Sequence, residues 1–187
     1  MAKPRQEVRE RWATGRWIGS PQLGAAVTAQ LRGVVAAWEI VEPRSAADFG
    51  DAVPDVVVDA TAIDPHDGGP VPSPAISSLH RLVAVVSEAW CGVGASPDVA
   101  ARQGAVVSRQ RALALACAAS GPTVNTIVVP DGFPATARSP RAVLDAAIAP
   151  ADLAHVLAYF LDPANGYVLG QMVSLCGGAD AWGGHGL

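Results

Sequence analysis

Short apolar runs that fail to alternate limit this chain more than anything else in it. Residues 55–60 (DVVVDA), 81–87 (RLVAVVS) and 123–129 (TVNTIVV) are rich in β-branched side chains. A strand wetted on one face alternates apolar and polar residues. These runs do not, so each predicts a strand covered on both faces, as in a parallel sheet. Residues 34–42 (VVAAWEIVE) and 170–178 (GQMVSLCGG) predict two more strands, and residues 17–19 open a further short one.

Helical spacing fills the gaps between them. Leu23, Val27 and Leu31 recur at helical intervals. Residues 98–119 are alanine-rich and predict a long helix with Val106, Leu113 and Cys117 on its inner side. Pro43 and Ser45 predict the start of a short helix, with Ser45 as N-cap. Residues 139–161 predict a helix broken at Pro150. Strand and helix alternate throughout, which predicts an α/β fold, a Rossmann-like doubly wound parallel sheet with helices on both faces. The expected organisation is an arm over residues 1–14 and one domain over residues 15–187.

Composition removes several function classes. Only 16% of the 187 residues are charged and the net charge is −4. No basic stripe suggests a nucleic-acid partner, and no basic amphipathic helix suggests a membrane surface. No apolar run reaches the roughly 18 residues of a membrane span. The start, MAKPRQEVRER, carries both signs of charge and no signal-peptide core, which predicts a cytoplasmic protein. Cys91, Cys117 and Cys176 are widely spaced and odd in number, and no CxxC is present, so neither zinc nor a disulfide framework is expected. Lys3 is the only lysine among thirteen basic residues.

The second half of the chain carries a resemblance. Residues 121–136 (GPTVNTIVVPDGFPAT) are similar to a segment that usually reads G-I-R-V-N-x-I-x-P-G followed by Thr. Residues 151–178 are similar to an ending in which a helix runs into Y-x-T-G-Q and a strand closed by a glycine pair. Residues 55–63 (DVVVDATAI) are similar to D-V-L-V-N-N-A-G-I. In this order the three segments resemble the short-chain dehydrogenase/reductase family over about residues 17–180. The resemblance implies a Rossmann-type sheet. It also implies dimers or tetramers built through the long helices and through the last helix and strand.

The family's working residues do not carry over. Its phosphate loop, T-G-x-x-x-G-I-G, falls on residues 17–24 (WIGSPQLG), where only Gly24 matches, and Ile18 and Gln22 replace glycines. A second register puts Thr14, Gly15 and Gly19 on the motif but makes residues 7–13 (EVRERWA) the preceding strand. The family's Y-x-x-x-K pair falls on Val99 and Gln103. No tyrosine precedes residue 159 and no lysine follows residue 3, so no realignment restores the pair. Ser87 falls within one residue of the family's substrate-polarising serine. Asp59-Ala-Thr-Ala62 replaces the N-N-A-G turn, and an aspartate there repels an anionic cofactor. The chain is short between Gly24 and Asp59, and again between Ile63 and Ser87, where the family's catalytic asparagine is carried. No cofactor is expected.

Asp59, Ser87 and Glu88 remain the candidate pocket residues, because they end buried strands at the edge where such sheets bind ligands. Asp64, His66 and Asp67 share a glycine- and proline-rich loop but match no metal spacing, so a solvated turn is expected. His80 and His155 read as surface residues, and Cys91 has no neighbouring cation to lower its pKa. Trp90 and Trp182 read as packing or interface residues. The glycine-rich tail, residues 177–187, is too glycine-rich to fold alone and frays or docks on another subunit.

Read together, these features suggest a non-catalytic, structural or regulatory subunit paired with an active, full-length dehydrogenase/reductase through the C-terminal helix and strand. The alternative is a repurposed, cofactor-independent cyclase, dehydratase or isomerase using Asp59, Ser87 and Glu88. A homodimeric module binding a small apolar ligand is a third possibility.

Overall fold

Six parallel strands form one sheet in the computed structural model, which describes residues 11–42, 53–63, 79–92, 95–119, 121–135, 138–145 and 147–178. The strands are β1 (Trp12–Ile18), β2 (Val35–Val41), β3 (Val56–Asp59), β4 (Arg81–Ser87), β5 (Thr123–Val129) and β6 (Met172–Ser174). Their spatial order is β2-β1-β3-β4-β5-β6, and every pairing is parallel. The doubly wound α/β expectation holds.

The central strands confirm the reading of their runs. All residues of β3, β4 and β5 are buried. On one face pack α1 (Pro21–Thr28) and α3 (Pro150–Leu161). Leu23, Val27, Leu153, Leu157 and Phe160 there meet Trp17, Val58, Val83, Val85 and Ile127 of the sheet. On the other face packs α2 (Pro97–Cys117), against Val57, Leu82, Val86, Val124 and Val128. Each large side chain so buried is worth about 1.5–3 kcal/mol, which makes this double covering the main cohesive term.

Four expected boundaries move. β1 starts at Trp12 rather than residue 17, so residues 12–14, expected in the arm, belong to the sheet. Tertiary bonds hold that first turn of strand: Trp12 Nε1 donates to the Leu161 carbonyl at 2.6 Å, and Thr14 N–H donates to Asp55 Oδ2 at 2.8 Å. The helix expected from residue 139 starts at Pro150, because proline suits a first helical position and Asp152 Oδ2 accepts the Ala149 N–H at 2.7 Å. Residues 138–145 form turns instead, and the N–H groups of Val143 and Leu144 donate to the Gly177 carbonyl. The last strand shortens to Met172–Ser174, since Gly177 and Gly178 take positive φ and leave the extended region.

The inner side of α2 also differs. Gln103, Val107, Gln110 and Ala114 face the sheet, whereas Val106, Leu113 and Cys117 are half-buried on its flank. The expected short helix after Pro43, the loop with Asp64, His66 and Asp67, and the tail with Trp182 lie outside the described residues.

Candidate functional site

The chain enters the sheet at β1, turns outward to β2, then crosses back to β3 on the other side of β1. That reversal makes a topological switch point at the C-terminal ends of β1 and β3, the position where open α/β sheets bind ligands. Gly19 and Ser20 follow β1, Asp59 ends β3, and Ser87 ends β4.

The turn after β1 is short. Strand residue Ile18 and helix residue Pro21 are separated only by Gly19 and Ser20. Gly19 has φ of 138°, and a Cβ there would lie 3.2 Å from Ala60. The glycine therefore lets the first turn close on the end of β3. Pro21 brings no N–H to the helix start. Ser20 donates its hydroxyl to Gln22 Oε1 at 3.2 Å. Gly24, the glycine that matched the family's loop, sits over the indole of Trp17: a Cβ would fall 2.6 Å from Cδ1. Both glycines thus face protein atoms rather than an open cradle.

Asp59 is 3% exposed. Its Oδ1 accepts the Thr61 hydroxyl at 2.7 Å and the Thr61 N–H at 3.1 Å. The carboxylate so fixes the 3-10 turn Thr61–Ile63 that follows β3. Ser87 Oγ accepts the Ala89 N–H at 3.3 Å and caps the 3-10 turn Glu88–Cys91. Glu88, also buried, accepts the Asp131 N–H on Oε1 at 3.4 Å, which links the ends of β4 and β5.

These three groups do not converge. Val58 and Val85 face the α1/α3 side, so by strand alternation Asp59 faces the α2 side and Ser87 the opposite one. Each holds the backbone of its own turn. Cys91 is exposed and donates its thiol to the Glu88 carbonyl at 2.9 Å. His80 is exposed and stacks on Trp12, with ring centroids 4.9 Å apart, and His155 is exposed on α3. Trp90 packs half-buried beside Val86 and Val107. Among the described residues no three His, Cys, Asp or Glu side chains are placed to hold a metal ion.

One side chain the sequence passed over as a lost lysine joins these turns. Gln103, 6% exposed, accepts the Ser87 N–H on Oε1 at 3.1 Å and donates from Nε2 to the Ala62 carbonyl. Its place on the buried stripe of α2 was the available signal.

At the opposite, N-terminal edge, Arg81 is 7% exposed. It donates to the carbonyls of His80 and Pro163 and lies 5.1 Å over the ring of Trp12. Burial lowers its pKa, and Asp162 opposes that shift.

No protein-family model matches the sequence. The chain is 31% identical over 119 residues to the BbsC subunit of (2S)-[(R)-hydroxy(phenyl)methyl]succinyl-CoA dehydrogenase from Thauera aromatica, covering 60% of this chain and 48% of that one. It is 32% identical over 118 residues to the BbsD subunit of the same enzyme, covering 56% and 46%. The chain thus spans about half the length of the curated relatives it matches. Its fold superposes on a dehydrogenase/reductase from Sinorhizobium meliloti with a TM-score of 0.69 at 18% identity, over 92% of this chain and 97% of that one.

Proposed function

We propose, from the premise that this chain is a shortened relative of the short-chain dehydrogenases/reductases, that it is a non-catalytic subunit of a dehydrogenase assembly. Its partner in this reading is an active, full-length chain of the same fold, engaged through α3 and β6. The observation that carries the reading is the turn after β1: two residues long, closed on Ala60, and followed by Pro21. A dinucleotide pyrophosphate needs open backbone N–H groups at a helix start. This turn does not fit one, and no step through a nicotinamide follows.

Two further features support it. Val99 and Gln103 stand where the family places its tyrosine and lysine, and both polar groups of the Gln103 amide already hold protein backbone. The C-terminal unit, by contrast, is well formed and carries exposed Tyr159, Tyr167 and Val173, at 50%, 80% and 37%. The two curated relatives are named as different subunits of one dehydrogenase, which favours an assembly of related but unequal chains.

The test is coexpression with full-length short-chain dehydrogenases of the same genome, read by native mass spectrometry. A mixed complex weakened by Tyr159→Glu is expected. Separate elution, with the dehydrogenase fully active alone, overturns the reading. A cofactor-independent enzyme gains less support, because Asp59, Ser87 and Glu88 each hold their own turn. It would require Asp59→Asn to abolish a turnover while the fold persists.

A further inference from the structure

The sheet ends differently on its two sides. β6 closes one edge with three residues, while β2 forms the other with seven. Natural edge strands are blunted by shortness, lysine, proline or bulges, because their outer backbone groups otherwise pair with another chain. The sequence of β2, VAAWEIV, contains no proline and no lysine. Its one charge, Glu39, is already held by Arg16 on the neighbouring strand at 2.7 Å. Ala36, Ala37 and Ile40 are exposed, Ile40 at 37%.

We propose that β2 pairs antiparallel with β2 of a second copy of this chain, across a two-fold axis at Trp38, joining two six-stranded sheets into one. The strand is complementary to its own reverse. With Trp38 opposite Trp38, Val35 meets Val41, Ala36 meets Ile40 and Ala37 meets Glu39. Large side chains face small or β-branched ones, the pairing that cross-strand packing favours. Glu39 faces an alanine, so no like charges oppose each other. An axis at Glu39 would instead set two carboxylates directly opposite. The axis at Trp38 pairs all seven residues, and neither copy has to bury an unpaired charge. A closed two-fold contact of this kind uses the same patch twice and stops at two copies.

This edge lies across the sheet from α3 and β6, so the contact is independent of the subunit reading above. A pair of these chains joined at β2 leaves both C-terminal units free for other partners.

Light scattering of the isolated chain tests it. The expected mass is twice the 19.1 kDa of one chain. Ala37→Glu places a carboxylate opposite Glu39 at two symmetric points and is expected to raise the dissociation constant about tenfold or more. Ala37→Lys places an ammonium there and is expected to keep the dimer. Position 37 is exposed, and circular dichroism checks that both variants fold. A monomeric parent chain overturns the proposal. So does a dimer that Ala37→Glu leaves intact, or equal loss in both variants, which breaks the Trp38 register.

Discussion

Gln103 accepts a hydrogen bond from the backbone N–H of Ser87 at 3.1 Å, across 16 residues of sequence. Its other amide group reaches the Ala62 carbonyl. One buried side chain of α2 therefore ties the turn after β4 to the turn after β3. Gln103→Leu leaves a buried N–H and a buried C=O without this partner. A loss of about 2–4 kcal/mol in urea unfolding is expected. Gln103→Lys is expected to be as damaging, because an ammonium cannot accept the Ser87 N–H.

Gly24 and Trp17 make a packing claim that separates architecture from ligand binding. If Gly24 exists to admit the Trp17 indole, Gly24→Ala overpacks this contact. The expected cost is about 1–3 kcal/mol, partly offset by alanine's helix propensity of about 1 kcal/mol. Thermal unfolding followed by tryptophan fluorescence measures it. An unchanged midpoint would mean that the helix yields without cost.

Gln110 presents the opposite case. It is 2% exposed, and neither its amide nitrogen nor its oxygen has a hydrogen-bond partner. It lines a small cavity of about 10 Å³ with Val107, Val124, Thr126 and Met172. Gln110→Met keeps the volume and removes both unpaired groups. A gain of about 1 kcal/mol is expected. A loss would place an ordered water on the amide, visible at high resolution.

Arg81 joins β4 to the end of α3 through the Pro163 carbonyl and covers Trp12. Arg81→Lys loses the planar fork and the stacking together and should cost about 1–2 kcal/mol. Burial lowers the pKa of this base in the fold. Its contribution is therefore flat from acid to neutral pH, where both states are charged. It becomes more favourable only as alkaline pH passes the lowered pKa, where the unfolded chain binds more protons. A pH titration of stability that bends below neutrality in the parent chain, but not in Arg81→Leu, contradicts this assignment.

The local signals of β4 and β5 were strong enough to place both strands to the residue. Each is a continuous β-branched run bounded by loop residues, and burial on both faces is written into such a run. The absence of the tyrosine–lysine pair was equally legible, since it depends only on which residues exist. β1 was less legible: Trp12–Thr14 look polar and detached until Leu161 and Asp55, far away in sequence, supply their partners. The inner side of α2 was misread for a related reason. Its buried stripe contains two glutamines, and periodicity counts apolar side chains.

The sequence alone determined the layer order, the parallel sheet and the loss of the family's chemistry, because those follow from residue type and short-range spacing. Tertiary structure decided where the polar residues point. Asp59 and Ser87 end neighbouring strands and look like one site in sequence. Strand alternation sends them to opposite faces, and hydrogen bonds to their own turns hold them there. The exposed β2 edge was decided in the same way. An edge is a property of strand order, and strand order depends on contacts between residues far apart in the chain.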